Sequence, residues 1–409
     1  MSEPKVRFMR DNGNSYPAWE KHTIGDMTVE LTEYRPLSCG LPLLTSARTG
    51  LMFQDEYRGK SSTENEDTLF SVVPRGAVTY RHMSDDNIFH FNINGLVDAG
   101  LVSKEYPVFS TVNGNNISLL VEYLNSSKSF LEFCKAQKKG GTRTRLYFKA
   151  LKNFEMMIPC PEEQQKIADF LSSVDEVITA SEQEVANLET QKKAVMKKIF
   201  SQEVRFKRAD GSDFPEWGKK KLGDVCSKIG SGKTPKGGSE IYTQNGVLFI
   251  RSQNVINAML DLTDKTCIPK SVHDGMRNTE LQYLDVLLNI TGASIGRCCL
   301  FDLHEIANVN QHVCIIRLKD KESYVPKYVE QIMLSDYIQN QIGSCQNGGS
   351  REGLNFEQIG NFSFLSPCLE EQRLIADFLS DFDEAIAAAK KELELWKELK
   401  KGLLQQMFV

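Results

Sequence analysis

The feature that most constrains this chain is an internal repeat, because repeats decide an architecture before single motifs do. Residues 140–201 and 348–409 align without a gap at an offset of 208, with 26 identities in 62 positions. A second match pairs residues 7–26 with 205–224 at an offset of 198. Residues 28–139 and 226–347 show little similarity to each other. The sequence therefore predicts two similar frames that hold two different inserts.

Each repeat ends in a long helix with a heptad seam. Glu162 and Glu163 follow a proline in the first turn, where the helix dipole favours negative charge. Apolar positions then recur in alternating steps of four and three, which is typical of a coiled coil. The two predicted seams are Ile167, Leu171, Val174, Ile178, Val185, Leu188, Val195 and Ile199, and Ile375, Leu379, Phe382, Ile386, Leu393, Trp396, Leu403 and Met407.

Neither helix can bury its apolar stripe alone, so we expect the two helices to pack on each other. Related halves in one chain favour a pseudo-two-fold arrangement, which makes the pair antiparallel. Each seam is about 48 Å long at about 1.5 Å per residue. Lys192 and Lys400 share one seam position. Either the lysine stem lies along apolar surface with its amine in water, or the charge fixes the register; the nearby helix end favours the first interpretation.

Composition indicates a folded protein with no membrane segment. The chain has 409 residues, 41% hydrophobic and 25% charged, which suggests two or three domains. No apolar run approaches the roughly 18 residues of a membrane helix, and the first residues have no apolar core. We expect a soluble cytoplasmic protein with a variable domain at 1–158, a helix at 159–202, a second variable domain at 203–366 and a second helix at 367–409.

The ten cysteines include no CxxC pair and no Cys/His cluster with zinc-ligand spacing. We therefore expect small buried side chains and no metal site. Charge is distributed unevenly: residues 1–158 carry a net charge of +1, residues 203–366 carry 0, and each helix carries -3. Near-neutral inserts are weak evidence for nucleic-acid binding, because phosphate contact normally needs a basic surface.

Both inserts are predicted to be mixed α/β. Val78–Tyr80, Val247–Ile250, Leu287–Ile290 and His312–Leu318 resemble strands, and several lead into polar loops that contain glycine. Such loops could contact phosphates or base edges, although turn chemistry alone also explains them.

No catalytic constellation is found. IGSGKT lacks the first glycine of a P-loop, which is Ser227, and Pro235 stands where the helix should begin. The DEAI at Asp383–Ile386 resembles a helicase box but repeats the surface of the first helix at Asp175–Ile178. The six histidines have no obvious carboxylate or nucleophile partner in the sequence.

Two copies of P-C-x-E-E-Q-x-x-I-A-D-F-L, each opening a heptad helix, resemble the conserved regions of type I restriction-modification specificity subunits. SGKTP, LFIRSQNV, DVLLNITGASIGR, ANVNQHVCIIRL and NGGSREGLNF resemble landmarks of a target-recognition domain, and VVPRGAVTYRHMS and GGTRTRLYF those of a divergent one. The resemblance implies that each insert reads one half of a split, asymmetric DNA site and that the helices set the spacing. It implies no catalysis and no cofactor in this chain. It also implies partners: methyltransferase subunits, usually two, that bind S-adenosylmethionine and methylate adenine, and possibly restriction subunits.

Glycine-rich and basic loops are the expected contacts to double-stranded DNA. The candidates are Tyr80, Arg81, His82, Lys138, Lys139, Arg143 and Arg145 in the first insert, and Ser231, Lys233, Thr234, Arg251, Ser252, Gln253, Asn254, Thr291, Ser294, Asn310, Gln311, His312 and Arg351 in the second. Each could instead cap a helix or pair within its domain. Two other functions stay open: a coiled-coil scaffold that binds only protein, and a DNA-modifying enzyme with an unrecognised motif.

Overall fold

A computed structural model describes residues 6–58, 66–138, 140–346 and 353–408. The chain forms two compact units, Met1–Ser181 with Glu392–Val409, and Glu182–Lys391. Each long helix therefore begins in one unit and ends in the other. The first unit is called unit 1 and the second unit 2; the domain boundaries proposed from the sequence stay a prediction.

Unit 1 is a mixed α/β unit built from short strands. Its strands are β1 (Glu20–Thr23), β2 (Thr28–Glu30), β3 (Tyr34–Pro36), β4 (Leu44–Ala47), β5 (Gly50–Phe53), β6 (Leu69–Pro74), β7 (Val78–Tyr80), β8 (Met83–Ser84), β9 (Phe91–Ile93), β10 (Ala99–Ser103), β11 (Val108–Thr111), β12 (Thr144–Arg145) and β13 (Glu155–Ile158). Its helices are α1 (Ile24–Met27), α2 (Gln54–Arg58), α3 (Ile117–Ser126), α4 (Lys128–Ala136), α5 (Phe148–Leu151) and the first part of α6 (Pro161–Phe200).

The strands of unit 1 pair antiparallel in small sheets. These have the orders β2-β11-β7-β9, β10-β6-β3, β1-β13, β12-β8 and β4-β5. Aromatic side chains from β7, β9 and β11 meet helices α3 and α4 in the main core. Ile167 and Leu171 of α6 join the same core together with Met407 at the end of the second long helix.

Unit 2 is also a mixed α/β unit, with its own strand orders. Its strands are β14 (Gly218–Lys221), β15 (Cys226–Ser231), β16 (Val247–Ile250), β17 (Val255–Ile256), β18 (Met259–Leu260), β19 (Cys267–Ile268), β20 (Asp285–Asn289), β21 (Cys298–Phe301), β22 (Ala307–Val309), β23 (Val313–Leu318) and β24 (Ser363–Ser366). Its helices are α7 (Leu222–Val225), α8 (Lys270–Asp274), α9 (Pro326–Leu334), α10 (Asp336–Gln346), α11 (Phe356–Asn361) and the first part of α12 (Leu369–Met407).

The sheets of unit 2 run β15-β23-β20-β21, β19-β16-β22, β14-β24 and β17-β18. Strands β16 and β22 pair in parallel, and the other pairs are antiparallel. Strand predictions are confirmed at β7 and β16, while the other two predicted strands are shifted to Asp285–Asn289 and Val313–Leu318. The predicted mixed α/β fold with two long helices is confirmed.

The repeated Arg, Trp and Glu residues of unit 1 form a buried clamp at the start of α6. Arg7 Nη2 lies 2.7 Å from Glu163 Oε2, and Trp19 Nε1 donates to the same oxygen at 3.3 Å. Arg7 also donates to the carbonyl of Pro17 at 2.5 Å. Glu163 is fully buried, so its charge needs these partners. The clamp ties the segment before β1 to the first turn of the long helix.

Unit 2 contains the same clamp at the start of α12. Arg205 Nη2 lies 2.9 Å from Glu371 Oε2, and Trp217 Nε1 donates to that oxygen at 2.9 Å. Glu371 is also fully buried. The match of residues 7–26 with 205–224 therefore has a physical cause: in both units these residues form the same clamp on the start of a long helix.

The long helices run antiparallel in each unit, as predicted. In unit 2, Glu189 meets Lys390 at 2.6 Å and Lys192 meets Asp383 at 2.5 Å, so numbering rises on one helix as it falls on the other. In unit 1, Lys400 meets Asp175 at 2.8 Å. Every predicted seam residue is buried or half-buried. The coiled-coil prediction is confirmed.

The interpretation of a seam lysine with its amine in water is wrong for Lys192. The Lys192 side chain is 10% exposed and its partner Asp383 is 17% exposed, so the amine is not in bulk water. Asp383 also accepts from Gln331 Nε2 at 2.7 Å. In unit 1, Lys400 pairs with Asp175 and with Glu122, the latter at 3.1 Å. Each lysine is thus paired with carboxylates beside the seam.

Six of the ten cysteines are buried: Cys134, Cys226, Cys267, Cys298, Cys299 and Cys314. Burial raises the pKa of the Cys134 and Cys226 thiols to about 12, so both behave as small apolar side chains. Within the described residues, no helix is long and apolar enough to cross a membrane.

Candidate functional site

Four loops of unit 2 meet where their strands end, and backbone contacts hold them together. Asn310 N donates to the Ile250 carbonyl at 2.9 Å, which joins the loop after β22 to the loop after β16. Ile290 N donates to the His312 carbonyl at 3.0 Å, which adds the loop after β20. A Cβ on Gly232 would lie 1.7 Å from the Val309 carbonyl oxygen, so only glycine lets the loop after β15 come this close. The predicted loops thus form one surface.

A chain of hydrogen bonds connects four predicted site residues across three of these loops. Thr234 Oγ1 donates to Gln311 Oε1. Gln311 Nε2 lies 2.7 Å from His312 Nε2, and His312 Nδ1 lies 2.5 Å from Thr291 Oγ1. Gln311 is exposed, while His312 and Thr291 are half-buried. The arrangement presents an oriented surface of polar Thr, Gln and His side chains.

Asp264 organises a second cluster on the loop after β16. Its Oδ2 accepts from Arg251 Nη2 at 2.9 Å and also from Gln253 Nε2. The Arg251 guanidinium lies 5.8 Å from the centre of the Tyr242 ring. One carboxylate oxygen therefore positions two predicted DNA contacts. The sequence prediction missed Asp264, since an aspartate in a polar segment gives no signal of its partner.

Tyr80, Asn254 and Asn310 were predicted as contacts but are structural residues instead. Tyr80 is fully buried, its hydroxyl donates to the Leu146 carbonyl at 3.1 Å, and burial raises its pKa well above the usual value. Asn254 is 3% exposed and accepts from Arg251 N at 2.9 Å. Asn310 is 8% exposed and accepts from His312 N at 3.1 Å. The prediction of DNA contact is corrected for these side chains, because their polar groups serve the local turn or the core.

In unit 1, a short ladder brings the two predicted basic segments together. Strand β12 pairs with β8, with Arg145 opposite Met83, and Leu146 N donates to the His82 carbonyl at 2.8 Å. Arg81, Arg143 and Arg145 are exposed. Segments 81–82 and 143–145 are therefore neighbours although about sixty residues separate them in the sequence.

A cavity of about 500 Å³ lies beside this ladder. Its lining includes Arg81, a predicted DNA contact, and also Arg48 and His90, which the sequence analysis missed. His82 lies beside the cavity but is only 2% exposed, so the prediction of DNA contact is corrected for this side chain as well. Arg48 could have been predicted, because its segment is polar and contains glycine, as the predicted loops do. Arg48 pairs with Asp86 at 2.6 Å.

Electrostatics of the cavity follow from burial and pairing. A hydrogen bond from Ser84, with Arg48 contributing, lowers the pKa of Asp86 to about 2. Burial lowers the pKa of His82 below its usual 6.5, although Glu105 opposes the shift. His82 Nδ1 is buried without a hydrogen-bond partner, and its ring stacks on Tyr147 with centroids 5.2 Å apart. The cavity therefore combines the guanidinium groups of Arg48 and Arg81 with the carboxylates of Asp85 and Glu105.

The remaining candidates are spread over the loop surfaces. Lys138 and Lys233 are exposed, and Ser231, Ser252 and Ser294 are half-buried. Lys139 and Arg351 lie outside the described residues. No group of three or more His, Cys, Asp and Glu side chains that could hold a metal ion occurs within the part of the chain that the structure describes.

Comparison with known proteins gives a family match in both halves of the chain. The model of the type I restriction modification DNA specificity domain matches residues 87–190 and 215–395. The type I restriction enzyme MjaVIII specificity subunit of Methanocaldococcus jannaschii is 27% identical over 281 residues, which are 66% of this chain and 65% of that protein. The putative type I restriction enzyme MjaX specificity subunit of the same organism is 26% identical over 268 residues, 62% of this chain and 58% of that protein.

Two solved structures share the fold. The type I restriction-modification S subunit of M. genitalium has a TM-score of 0.60 at 15% identity, covering 100% of this chain and 99% of that chain. A chain from a study of complex assembly and conformational transition of the type I R-M system has a TM-score of 0.53 at 16% identity, covering 96% and 98%. At these identities the structures show the fold alone. Because the family model matches more than half of the chain, the chain belongs to the family of type I restriction-modification DNA specificity proteins.

Proposed function

We propose that this chain is the DNA sequence-specificity subunit of a type I restriction-modification complex. Each insert reads one half of a bipartite, asymmetric DNA site, and the paired helices set the spacing of the half-sites. The observation that carries the proposal is the convergence of four polar loops in unit 2, which places Thr234, Arg251, Thr291 and Gln311 on one surface. Base edges in the major groove are read by such donors and acceptors.

The two inserts favour a reader of unlike half-sites over a reader of a palindrome. Unit 2 joins its loops through hydrogen bonds between Thr, Gln and His side chains. Unit 1 instead surrounds a cavity with two arginines and two carboxylates, Arg48, Arg81, Asp85 and Glu105. Different donors and acceptors select different bases, so two unlike surfaces on similar frames suit an asymmetric target.

The long helices are the proposed docking surface for two methyltransferase subunits. Outside the seam they carry exposed apolar side chains, which suit contact with a partner protein: Phe170, Val177, Leu395 and Leu399 in unit 1, and Leu374 and Phe378 in unit 2. Each predicted helix segment also carries a net charge of -3. In this proposal the chain is not itself an enzyme and needs no cofactor. The methyltransferase subunits bind S-adenosylmethionine. Restriction subunits join the complex, which works in the cytoplasm.

The test is genome-wide adenine-methylation sequencing after co-expression with the neighbouring methyltransferase gene, with and without this chain. A split, asymmetric methylated motif that appears only with the chain supports the proposal. A palindromic or contiguous motif contradicts two unlike readers. Absence of new methylation while the methyltransferase co-purifies favours a scaffold that binds only protein, and methylation by the chain alone favours an enzyme.

A further inference from the structure

In the turn Asn310–Gln311–His312 of unit 2, each side chain has a different structural role. Asn310 shapes the turn, because its Oδ1 accepts from His312 N at 3.1 Å. Its backbone is held to the end of β16 through the Ile250 carbonyl at 2.9 Å. Gln311 stands at the exposed tip of the turn. The turn therefore fixes the backbone position of Gln311, and the side chains around it orient its amide group.

His312 uses both of its ring nitrogens inside the protein. Gln311 Nε2 is a donor, so His312 Nε2 at 2.7 Å accepts from it. The proton of the neutral imidazole then lies on Nδ1, which donates to Thr291 Oγ1 at 2.5 Å. His312 has no ring nitrogen left for DNA. Its position makes it a positioning residue for Gln311.

The Gln311 amide is held at both ends, with Thr234 Oγ1 donating to Oε1 and His312 accepting from Nε2. One N–H and one lone pair of Oε1 remain for a ligand. Adenine offers N7 as an acceptor and N6 as a donor, so it satisfies both remaining groups. A phosphate offers only acceptors, so it would leave the Oε1 lone pair facing negative oxygens.

We propose that Gln311 reads an adenine edge in the half-site recognised by unit 2, with His312 and Thr234 as positioning residues. The proposal rests on the proposed function and names the residue that determines one base of it. An amide already held by two neighbours loses little side-chain freedom on binding, which favours discrimination. Gln253, the other glutamine of the surface, donates to Asp264 and lacks this arrangement.

The experiment measures the methylated motif with the co-expressed methyltransferase for the wild-type chain and the variants Gln311→Ala, Gln311→Glu and His312→Phe. For Gln311→Ala, we expect discrimination for adenine at one position to fall by about 5- to 150-fold, while the other half-site keeps its sequence. For Gln311→Glu, we expect the same position to shift towards cytosine, because a carboxylate accepts from cytosine N4. For His312→Phe, we expect a smaller loss confined to that position.

Gln244→Ala is the matched control, because Gln244 is exposed in the same unit and outside the loop surface. We expect this variant to keep the wild-type motif. Thermal melting of each purified chain with its methyltransferase separates loss of folding from loss of reading. If Gln311→Ala melts early, the base preference of Gln311→Glu, which keeps the side-chain size, decides the question.

Several outcomes would overturn the inference. An unchanged motif in all three variants, or a loss of preference spread over every position of the half-site, excludes Gln311 as the reader of one base. A uniform fall in affinity with a weaker salt dependence identifies a phosphate contact instead. If the wild-type chain directs no new methylation, the proposed function itself has failed; if it directs a split motif that the variants keep, only this inference has failed.

Discussion

The Lys192–Asp383 pair allows a direct test of how the seam is fixed. In Lys192→Met the side-chain length is kept and the charge is removed, so Asp383, 17% exposed, loses its partner at 2.5 Å. Breaking a buried ion pair costs about 3–5 kcal/mol. Asp383 retains the Gln331 hydrogen bond at 2.7 Å and some exposure to water, so we expect a cost at or below the bottom of this range, about 2–3 kcal/mol.

Hydrogen–deuterium exchange of the complete chain measures this cost on peptides from residues 182–200. A loss of about 2–3 kcal/mol corresponds to exchange that is roughly 30- to 150-fold faster. The double variant Lys192→Met/Asp383→Leu removes the uncompensated carboxylate, so we expect it to recover most of the protection. Lys193→Met is the matched control, because Lys193 is 74% exposed and lies 3.9 Å from Asp336.

The reasoning is refuted if Lys192→Met and Lys193→Met exchange at the same rate. Equal rates would mean that the Lys192 amine is solvated and that its pair with Asp383 contributes no more than an exposed ion pair, at most about 1 kcal/mol. A double variant that is less protected than Lys192→Met would also contradict the argument, since it would show that the cost comes from packing.

Three further predictions follow from burial. Arg205→Ala leaves Glu371 fully buried with a charge and without its cation, so we expect a loss of about 3 kcal/mol in urea unfolding, with Arg208→Ala nearly neutral as the exposed control. His82 has a lowered folded pKa, so its neutral form stabilises unit 1 fully above about pH 6.5 and this stability falls as pH drops below that value; unfolding at pH 7.5 and 5.5 should differ less in His82→Gln. In Gly232→Ala the new Cβ would meet the Val309 carbonyl at 1.7 Å, so we expect the melting temperature to fall and methylation to lose preference in one half-site only; an unchanged motif would contradict this.

The sequence by itself determined the repeat, the two long helices and their seam. These features depend on periodic burial along one helix, and a heptad pattern of apolar residues records that burial directly. Strands such as Val247–Ile250 were predictable for the same reason, because a short apolar run between turn residues is a local signal. The antiparallel direction came from the symmetry of two related halves and is confirmed by the cross-helix ion pairs.

Only the tertiary structure decided what the polar residues do. The sequence analysis placed Thr234 and Gln311 in candidate loops, but 77 residues separate them, and their hydrogen bond depends on the approach allowed by Gly232. Arg205 and Glu371 are 166 residues apart and form a clamp that no local pattern announces. A tyrosine such as Tyr80 can lie in a core or on a loop surface, and the sequence around it does not distinguish the two positions. Apolar periodicity is written along the chain, whereas the partner of a buried or oriented polar group is set by which distant segments the fold brings within hydrogen-bond distance.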